Sequence, residues 1–310
     1  PVGGRKRERM RVFITGGTGF VGNVVIQALL GLDHEVTILT RSPPRGRPEK
    51  KGVVYVEGDP RRAGKWQESL AENDGVINLA GASIFCRWTR ANKLAIRESR
   101  IETTRNLVEG LSERKGRETA LISASGTGYY GSLAEEGVRE DAPAGRDFLA
   151  ELSQEWEAEA QKAAEHGVRV ALCRLGVVLG RNGGALKKMA PAFRAGLGSP
   201  LGKGNQWFSW IHERDLANIF LFLLNRKDAS GPMNCTAPRP VRNRDLTSEL
   251  GRALRRPTFL PSLPGPLLRM GLGEFAQVFL EGQCAVPGRL MDLGFDFQFP
   301  TLDQALDDIL

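Results

Sequence analysis

The sequence predicts an α/β fold, a doubly wound parallel sheet with a smaller C-terminal α/β lobe. Six short apolar runs alternate with helical stretches over residues 11–174, and a glycine-rich turn separates the first run from the first helix. Beyond residue 176 the texture changes to glycine-rich and then proline-rich. Strands alternating with helices at this spacing require crossover connections and therefore parallel pairing.

The elements follow in order. Arg11–Thr15 is a continuous apolar run of strand length, as expected of a strand buried on both faces. Gly16-Gly17-Thr18-Gly19-Phe20-Val21-Gly22 comes next, then a helical stretch to Leu30 closed by Gly31. Further strands are predicted over 35–40, 53–57, 75–80, 120–125 and 168–174, with helices over about 64–73, 90–113 and 147–166. The glycines of 176–204 and the prolines of 257–266 read as loops of the smaller lobe, with helices over 213–225 and 243–255. Thr301-Leu302-Asp303-Gln304 has capping-box spacing and opens a terminal helix. The organisation is then a basic tail (1–9), a sheet domain (10–175, with 212–235 returning to it) and a smaller lobe made of 176–211 and 236–310.

At 310 residues the chain can bury a full core. Its 41% hydrophobic and 25% charged residues are ordinary for a globular protein. No apolar run approaches the ~18 residues that span a bilayer. The basic start (Arg5, Lys6, Arg7, Arg9) runs into a strand with no signal-peptide core, so a cytoplasmic protein is expected. The net charge of +7 includes four cations and one anion within residues 5–9, and no clustered basic stripe follows. Neither a nucleic-acid partner nor a membrane is expected. Cys86, Cys173, Cys235 and Cys284 are far apart, and His34, His166 and His212 form no HExxH, so no metal site is expected.

Gly16, Gly19 and Gly22 lie between a strand and a helix at the head of a βαβ unit, where a Rossmann dinucleotide fingerprint belongs. Gly16 permits the tight turn, Gly19 the approach of a diphosphate, and Gly22 close packing, with Gly17, Thr18, Phe20 and Val21 completing the loop. The free N–H groups of the helix start face the anion. The end of the second strand discriminates between dinucleotides. An NAD site places a carboxylate there for the ribose, whereas Thr40-Arg41-Ser42, with Arg45 and Arg47 behind, offers cations to a 2′-phosphate. NADP(H) is favoured over NAD. Asp59 is placed near the adenine, and Asn78-Leu79-Ala80-Gly81 alongside the phosphates and ribose.

In these motifs, together with Ser123–Gly131 and Trp210–Asp215, the chain resembles the extended short-chain dehydrogenase/reductases, relatives of the nucleotide-sugar epimerases. Within them it is similar to the branch called the epimerase family. That resemblance rests on Arg87-Trp88-Thr89, Ser99-Arg100, Gly128-Tyr129-Tyr130-Gly131, Gly176–Gly180, Leu280–Gln283 and Pro300–Leu306. Catalysis in the superfamily uses a tyrosine and a lysine four residues later, which lowers the phenol's pKa from about 10. The three tyrosines here are followed at that spacing by Asp59, Leu133 and Ala134, so the pair is missing. The helix that should carry it reads Phe148 to Glu157 and is acidic, with Glu151 and Glu155 on one face.

The resemblance implies Ser125 as the hydroxyl that polarises the reacting oxygen, although counting back from Tyr130 puts Gly126 at that position. Tyr129 or Tyr130 would move the proton. Arg87, Trp88, Arg174 and Trp210 are the expected substrate contacts, cations and aromatic walls for an anionic small molecule. Lys93, Arg181 and Trp207 lie nearby, and His212 is expected to hydrogen-bond at a helix start. Relatives often dimerise through the helices near 90–113 and 147–166, and the apolar faces of these helices serve either a homodimer or packing within the monomer. Two functions follow: an NADP(H)-dependent oxidoreductase or epimerase-like protein, or an NADP(H)-sensing or scaffolding protein that has lost the chemistry.

Overall fold

The computed structural model describes residues 9–44, 51–113, 118–133 and 137–310. Arg5–Arg7, Arg45 and Arg47 lie outside the described residues. The sheet domain runs β1 (Arg11–Thr15), α1 (Phe20–Leu30), β2 (Glu35–Thr40), β3 (Val53–Glu57), a 3-10 segment (Lys65–Glu72), β4 (Gly75–Asn78) and α2 (Arg90–Ser112). It continues through β5 (Ala120–Gly126), a 3-10 turn (Thr127–Tyr130), α3 (Phe148–Gln161) and β6 (Arg169–Leu175). The remainder comprises β7 (Val177–Gly180), α4 (Gly184–Arg194), β8 (Trp207–Phe208), β9 (Trp210–His212), α5 (Glu213–Asn225), β10 (Gly231–Cys235), β11 (Val241–Arg242) and α6 (Asn243–Leu254). Four short helices end the chain: α7 (Gly265–Leu272), α8 (Gln277–Leu280), α9 (Gly288–Asp292) and α10 (Leu302–Ile309).

Seven strands form one parallel sheet in the order β10-β6-β5-β4-β1-β2-β3. Successive side chains of a strand point to opposite faces, and β1 follows that rule. Val12 and Ile14 join α1 and α5 in one core, while Phe13 joins α2, α3 and Trp66 in the other. With both faces covered, the central strands are mostly apolar, with Thr15, Asn78, Ser123, Ser125 and Arg174 falling towards the carboxyl ends. Strand order reverses between β1 and β4, whose ends meet in register at Thr15 and Asn78. Ligands of open α/β sheets bind at the carboxyl ends of the strands at such a switch point.

The smaller lobe packs Leu179, Leu186, Phe193, Trp210, Leu246, Leu250 and Leu306 around two two-stranded sheets. Three features depart from the sequence expectation. β10 adds a seventh strand despite Pro232, because an edge strand tolerates a missing N–H. α4 occupies the stretch expected to be loop. It is amphipathic, burying Ala185, Leu186, Ala190 and Phe193, and it accommodates Pro191. Thr301 starts α10 without a side-chain cap, so the capping box does not form. No described helix is long and apolar enough to cross a membrane.

Candidate functional site

The glycine loop closes on itself at the end of β1. Gly16 has φ of +70°, which favours glycine, and a Cβ there would stand 2.6 Å from the Leu79 carbonyl. Gly19 N donates to Gly16 O at 3.0 Å. A Cβ on Gly22 would overlap Gly16 O, so Gly22 seats α1 on the loop itself. Gly17 is similarly confined, since a Cβ there would stand 2.9 Å from Ile38 Cγ2, and Phe20 packs under Gly183. Thr18 and Gly19 are exposed, Val21 half-buried. No side chain caps α1 and its first turn holds no acid, so its leading N–H groups have no side-chain competitor for an anion.

At the end of β2, Thr40 Oγ1 accepts from Ser42 N at 3.3 Å. Arg41 is exposed, and no described residue takes its guanidinium in a hydrogen bond or ion pair. Asp59 is engaged by Arg61 at 2.9 Å, and that hydrogen bond holds its carboxyl below the usual range. Its carboxylate is thus taken up by Arg61 within its own turn.

The strand ends are pinned by buried polar groups. Thr15 Oγ1 donates to Asn78 Oδ1 at 2.7 Å, and Asn78 Nδ2 donates to Thr104 Oγ1 at 2.9 Å. Trp156 Nε1 donates to the same Thr104 oxygen at 2.9 Å. These bonds tie β1 and β4 to α2 and α3 and give the crevice a fixed floor under Leu79, Ala80 and Gly81. Ser99 Oγ accepts from Ala82 N at 2.9 Å, and Arg100 Nη1 donates to Ala82 O at 3.0 Å. Arg100 was not among the expected site residues. Its signal in the sequence is the Ser99-Arg100 pair.

Several expected site residues are instead scaffold. Arg174 is buried and makes a forked pair with Glu157, Nε and Nη2 each 2.8 Å from a carboxylate oxygen. Burial opposes the Arg174 cation, but the bonds from Glu157 and Tyr130 outweigh it and raise its pKa. Ser125 Oγ donates to Glu157 at 2.7 Å. Tyr130 is buried, its Oη donating to Asn234 at 2.7 Å and accepting from Arg174 at 2.9 Å. Burial pushes the Tyr130 phenol up to about 12, against the pull of Arg174. The Tyr130 hydroxyl is thus saturated and desolvated, and the same network occupies Ser125 and Arg174.

Trp210 is likewise core, its Nε1 donating to Arg239 O at 3.1 Å. Trp88 is buried against Phe148 and Phe275, leaving Arg87 exposed beside Gly273. The start of α3, where the Tyr–Lys pair is missing, is apolar. Phe148, Leu149 and Leu152 pack there with Trp88 and Phe275. Glu155 pairs with Arg97 at 2.6 Å. His212 is buried and starts α5 by accepting from Arg214 N at 3.0 Å. Asp215 accepts from Gln298 N and Phe299 N, each at 2.9 Å, and so clamps the C-terminal segment.

Tyr129 differs from its neighbour. It is half-buried, its ring lies 3.4 Å over the Arg174 guanidinium, and its hydroxyl has no hydrogen bond among the described residues. Ser132 and Leu133, just beyond that turn, border a cavity of about 660 Å³ that also reaches Lys203, Trp207, Arg242 and Arg269. Trp207 stacks under Arg242 at 3.4 Å.

Residues 12–235 match the NAD dependent epimerase/dehydratase family, and residues 263–309 match a domain of unknown function, DUF1731. The chain is 42% identical over 314 residues to the chloroplastic epimerase family protein SDR39U1 homolog of Arabidopsis thaliana, covering 99% of this chain and 88% of that one. Human epimerase family protein SDR39U1 (isoform 2), solved with NADPH, is 34% identical and superposes with a TM-score of 0.85, over 97% of this chain and 99% of that one. A nucleoside-diphosphate sugar epimerase from Corynebacterium glutamicum superposes with a TM-score of 0.79 at 32% identity, over 97% of this chain and 58% of that one. The switch-point crevice, the glycine loop and these matches agree, and the chain belongs to the NAD-dependent epimerase/dehydratase family, in its epimerase family protein branch with a C-terminal DUF1731 domain.

Proposed function

We propose that this protein binds NADP(H) along the crevice over β1 and β4 and acts as an oxidoreductase or epimerase-like protein on a small, polar, anionic substrate. The observation that carries this reading is the uncapped start of α1 above a loop where Gly16 and Gly22 leave no room for a side chain. The residues present fit the group. Backbone N–H groups meet a diphosphate, and the free Arg41 suits a 2′-phosphate where an NAD site would want a carboxylate. The NADPH found in the human relative supports the same choice. A bound nicotinamide supplies the hydride acceptor or donor.

The chain's own contribution reduces to a few groups. Tyr129 is the hydroxyl we assign to proton movement, with the Arg174 guanidinium stacked under its ring and holding it in place. Glu157 keeps that guanidinium flat and in place. Lys203, Arg242 and Arg269, with Trp207, give the neighbouring cavity the cations and aromatic wall of an anion site, in place of Arg174 and Trp210. The four free cysteines support a reducing compartment such as the cytoplasm.

Oxidation of NADPH with a panel of nucleotide sugars, carbonyls and quinones tests the reading. Tyr129→Phe should lower turnover by roughly 10²–10⁴-fold, the usual worth of a positioned acid or base, without shifting the melting temperature. The apolar start of α3 favours a second reading, in which the cofactor site serves as a redox-state sensor. Tight NADPH binding with no turnover across the panel would select it.

A further inference from the structure

We propose that the cavity beside the Tyr129 turn takes an amphiphilic anion, not a nucleotide sugar. A carboxylate or phosphate head rests on Lys203 and Arg269, and an acyl or aryl body lies along Leu133, Pro264, Pro266 and Leu280. This deepens the function proposed above by naming the class of ligand, and rests on that reading only where the ligand is turned over.

The two cations are free and are held on one site. Neither the Lys203 ammonium nor the Arg269 guanidinium has a hydrogen bond or ion pair among the described residues. Gly202 N donates to Leu263 O at 2.9 Å, so the turn carrying Lys203 lies against the segment that leads into α7. On α7, Arg269 stands one turn beyond Gly265 and Pro266 and shares their face. All three border the cavity. No acid falls within 181–212 or within 250–273, the stretches that supply these cations. The acid in the wall, Glu281, already accepts from Gln277 Nε2 at 2.9 Å.

The neutral polar groups of the wall are spent on the protein. Gln206 Nε2 donates to Leu201 O at 3.0 Å and to Phe279 O at 2.7 Å. Asn205 Oδ1 accepts from Arg244 Nη1 at 3.1 Å. Arg242 lies flat on Trp207 and donates to Asn205 O at 2.7 Å. A nucleotide sugar brings several hydroxyls and a base edge, and each one buried without a partner costs affinity. A head that needs only charge, on a body that needs no hydrogen bond, fits what is left. The apolar side is built to be open. A Cβ on Gly202 would stand 2.8 Å from Leu280 Cδ2, and one on Gly265 would stand 3.5 Å from the same atom, so Leu280 forms the wall where these two glycines make room. The volume of about 660 Å³ falls in the range of a small-molecule site, roughly 300–1,000 Å³.

Calorimetric titration of the full chain, with and without NADPH, tests the assignment. The probes are decanoate and decyl phosphate (two heads on one tail), decanol (the tail without charge), shorter carboxylates down to butyrate, and UDP-glucose. Decanoate or decyl phosphate should bind at one site per chain, and the preferred head tells a carboxylate ligand from a phosphate ester. Affinity should rise up to about fourfold per CH₂ between butyrate and decanoate, from ~0.8 kcal/mol per buried CH₂. Decanol should bind at least tenfold more weakly, and UDP-glucose should not compete. The double variant Lys203→Ala/Arg269→Ala should weaken decanoate by roughly ten- to a hundredfold. Its melting temperature should stay within a degree of wild type, because both side chains are exposed. Uptake of decanoate that this variant loses, by a chain that takes no NADPH, would remove the function proposed above and keep this site. Tighter binding of UDP-glucose than of decanoate, affinity independent of chain length, or equal uptake by wild type and variant would overturn the assignment.

Discussion

Replacing Glu157 with alanine removes the forked partner of a cation that cannot reach water. The Arg174 and Glu157 side chains are 4% and 9% exposed. The substitution breaks both 2.8 Å bonds to Arg174 and strands the hydroxyl of Ser125. Breaking a buried pair from one side costs about 3–5 kcal/mol, mostly for the orphaned charge. Unfolding entropy near 2.1 cal/mol/K per residue gives about 0.65 kcal/mol/K for this length, so the melting temperature should fall by about 5–8 °C. Calorimetric or circular-dichroism melts read the change directly. The double variant Glu157→Leu/Arg174→Met should recover most of it, because no charge is then left unpaired. A single variant within a degree of wild type, or a double variant no better than the single, would refute the role given to this pair.

Tyr130→Phe should cost about 1–3 kcal/mol in urea unfolding, because Asn234 and Arg174 lose a buried partner; Tyr129→Phe should cost almost nothing, and equal losses would contradict the division of labour between the two. Burial lowers the His212 pKa from 6.5 to about 4, against the opposing pull of Asp308. Between those values the unfolded chain binds the extra proton, so the contribution of His212 is complete above pH 6.5 and is lost as pH falls towards 4. At about 1.4 kcal/mol per unit the loss is roughly 2–3 kcal/mol, and His212→Asn should flatten that part of the stability–pH profile. An unaltered profile would mean that the imidazole titrates freely in the folded protein.

Much of the sheet was legible because its central strands are covered on both faces and therefore read as largely apolar runs. Glycines at 16, 19 and 22 likewise expose their purpose, since their spacing reflects backbone contacts within one loop. β10 and α4 were hidden by Pro232 and Pro191, residues that local rules treat as breakers and that an edge strand and an amphipathic helix accommodate. The harder part was telling residues in a motif from residues at a surface. Arg174 and Trp210 sit in stretches typical of the family, yet their neighbours are Glu157 on α3 and Arg239 in the smaller lobe, long-range partners that no local pattern records. Arg100 illustrates the converse. Its Ser-Arg pair marks the branch, but the bonds that fix its guanidinium to Ala82 O and Ile96 O, over the Trp156 ring, become visible only in the fold.

The most direct measurement of the central claim is calorimetric titration with NADPH, NADP+, NADH and NAD+, on wild type and on Arg41→Ala. The account predicts a preference for the two phosphorylated forms of roughly ten- to a hundredfold, one charge-assisted contact, and its disappearance in the variant. Uptake of none of the four, or a preference that survives Arg41→Ala, would contradict it.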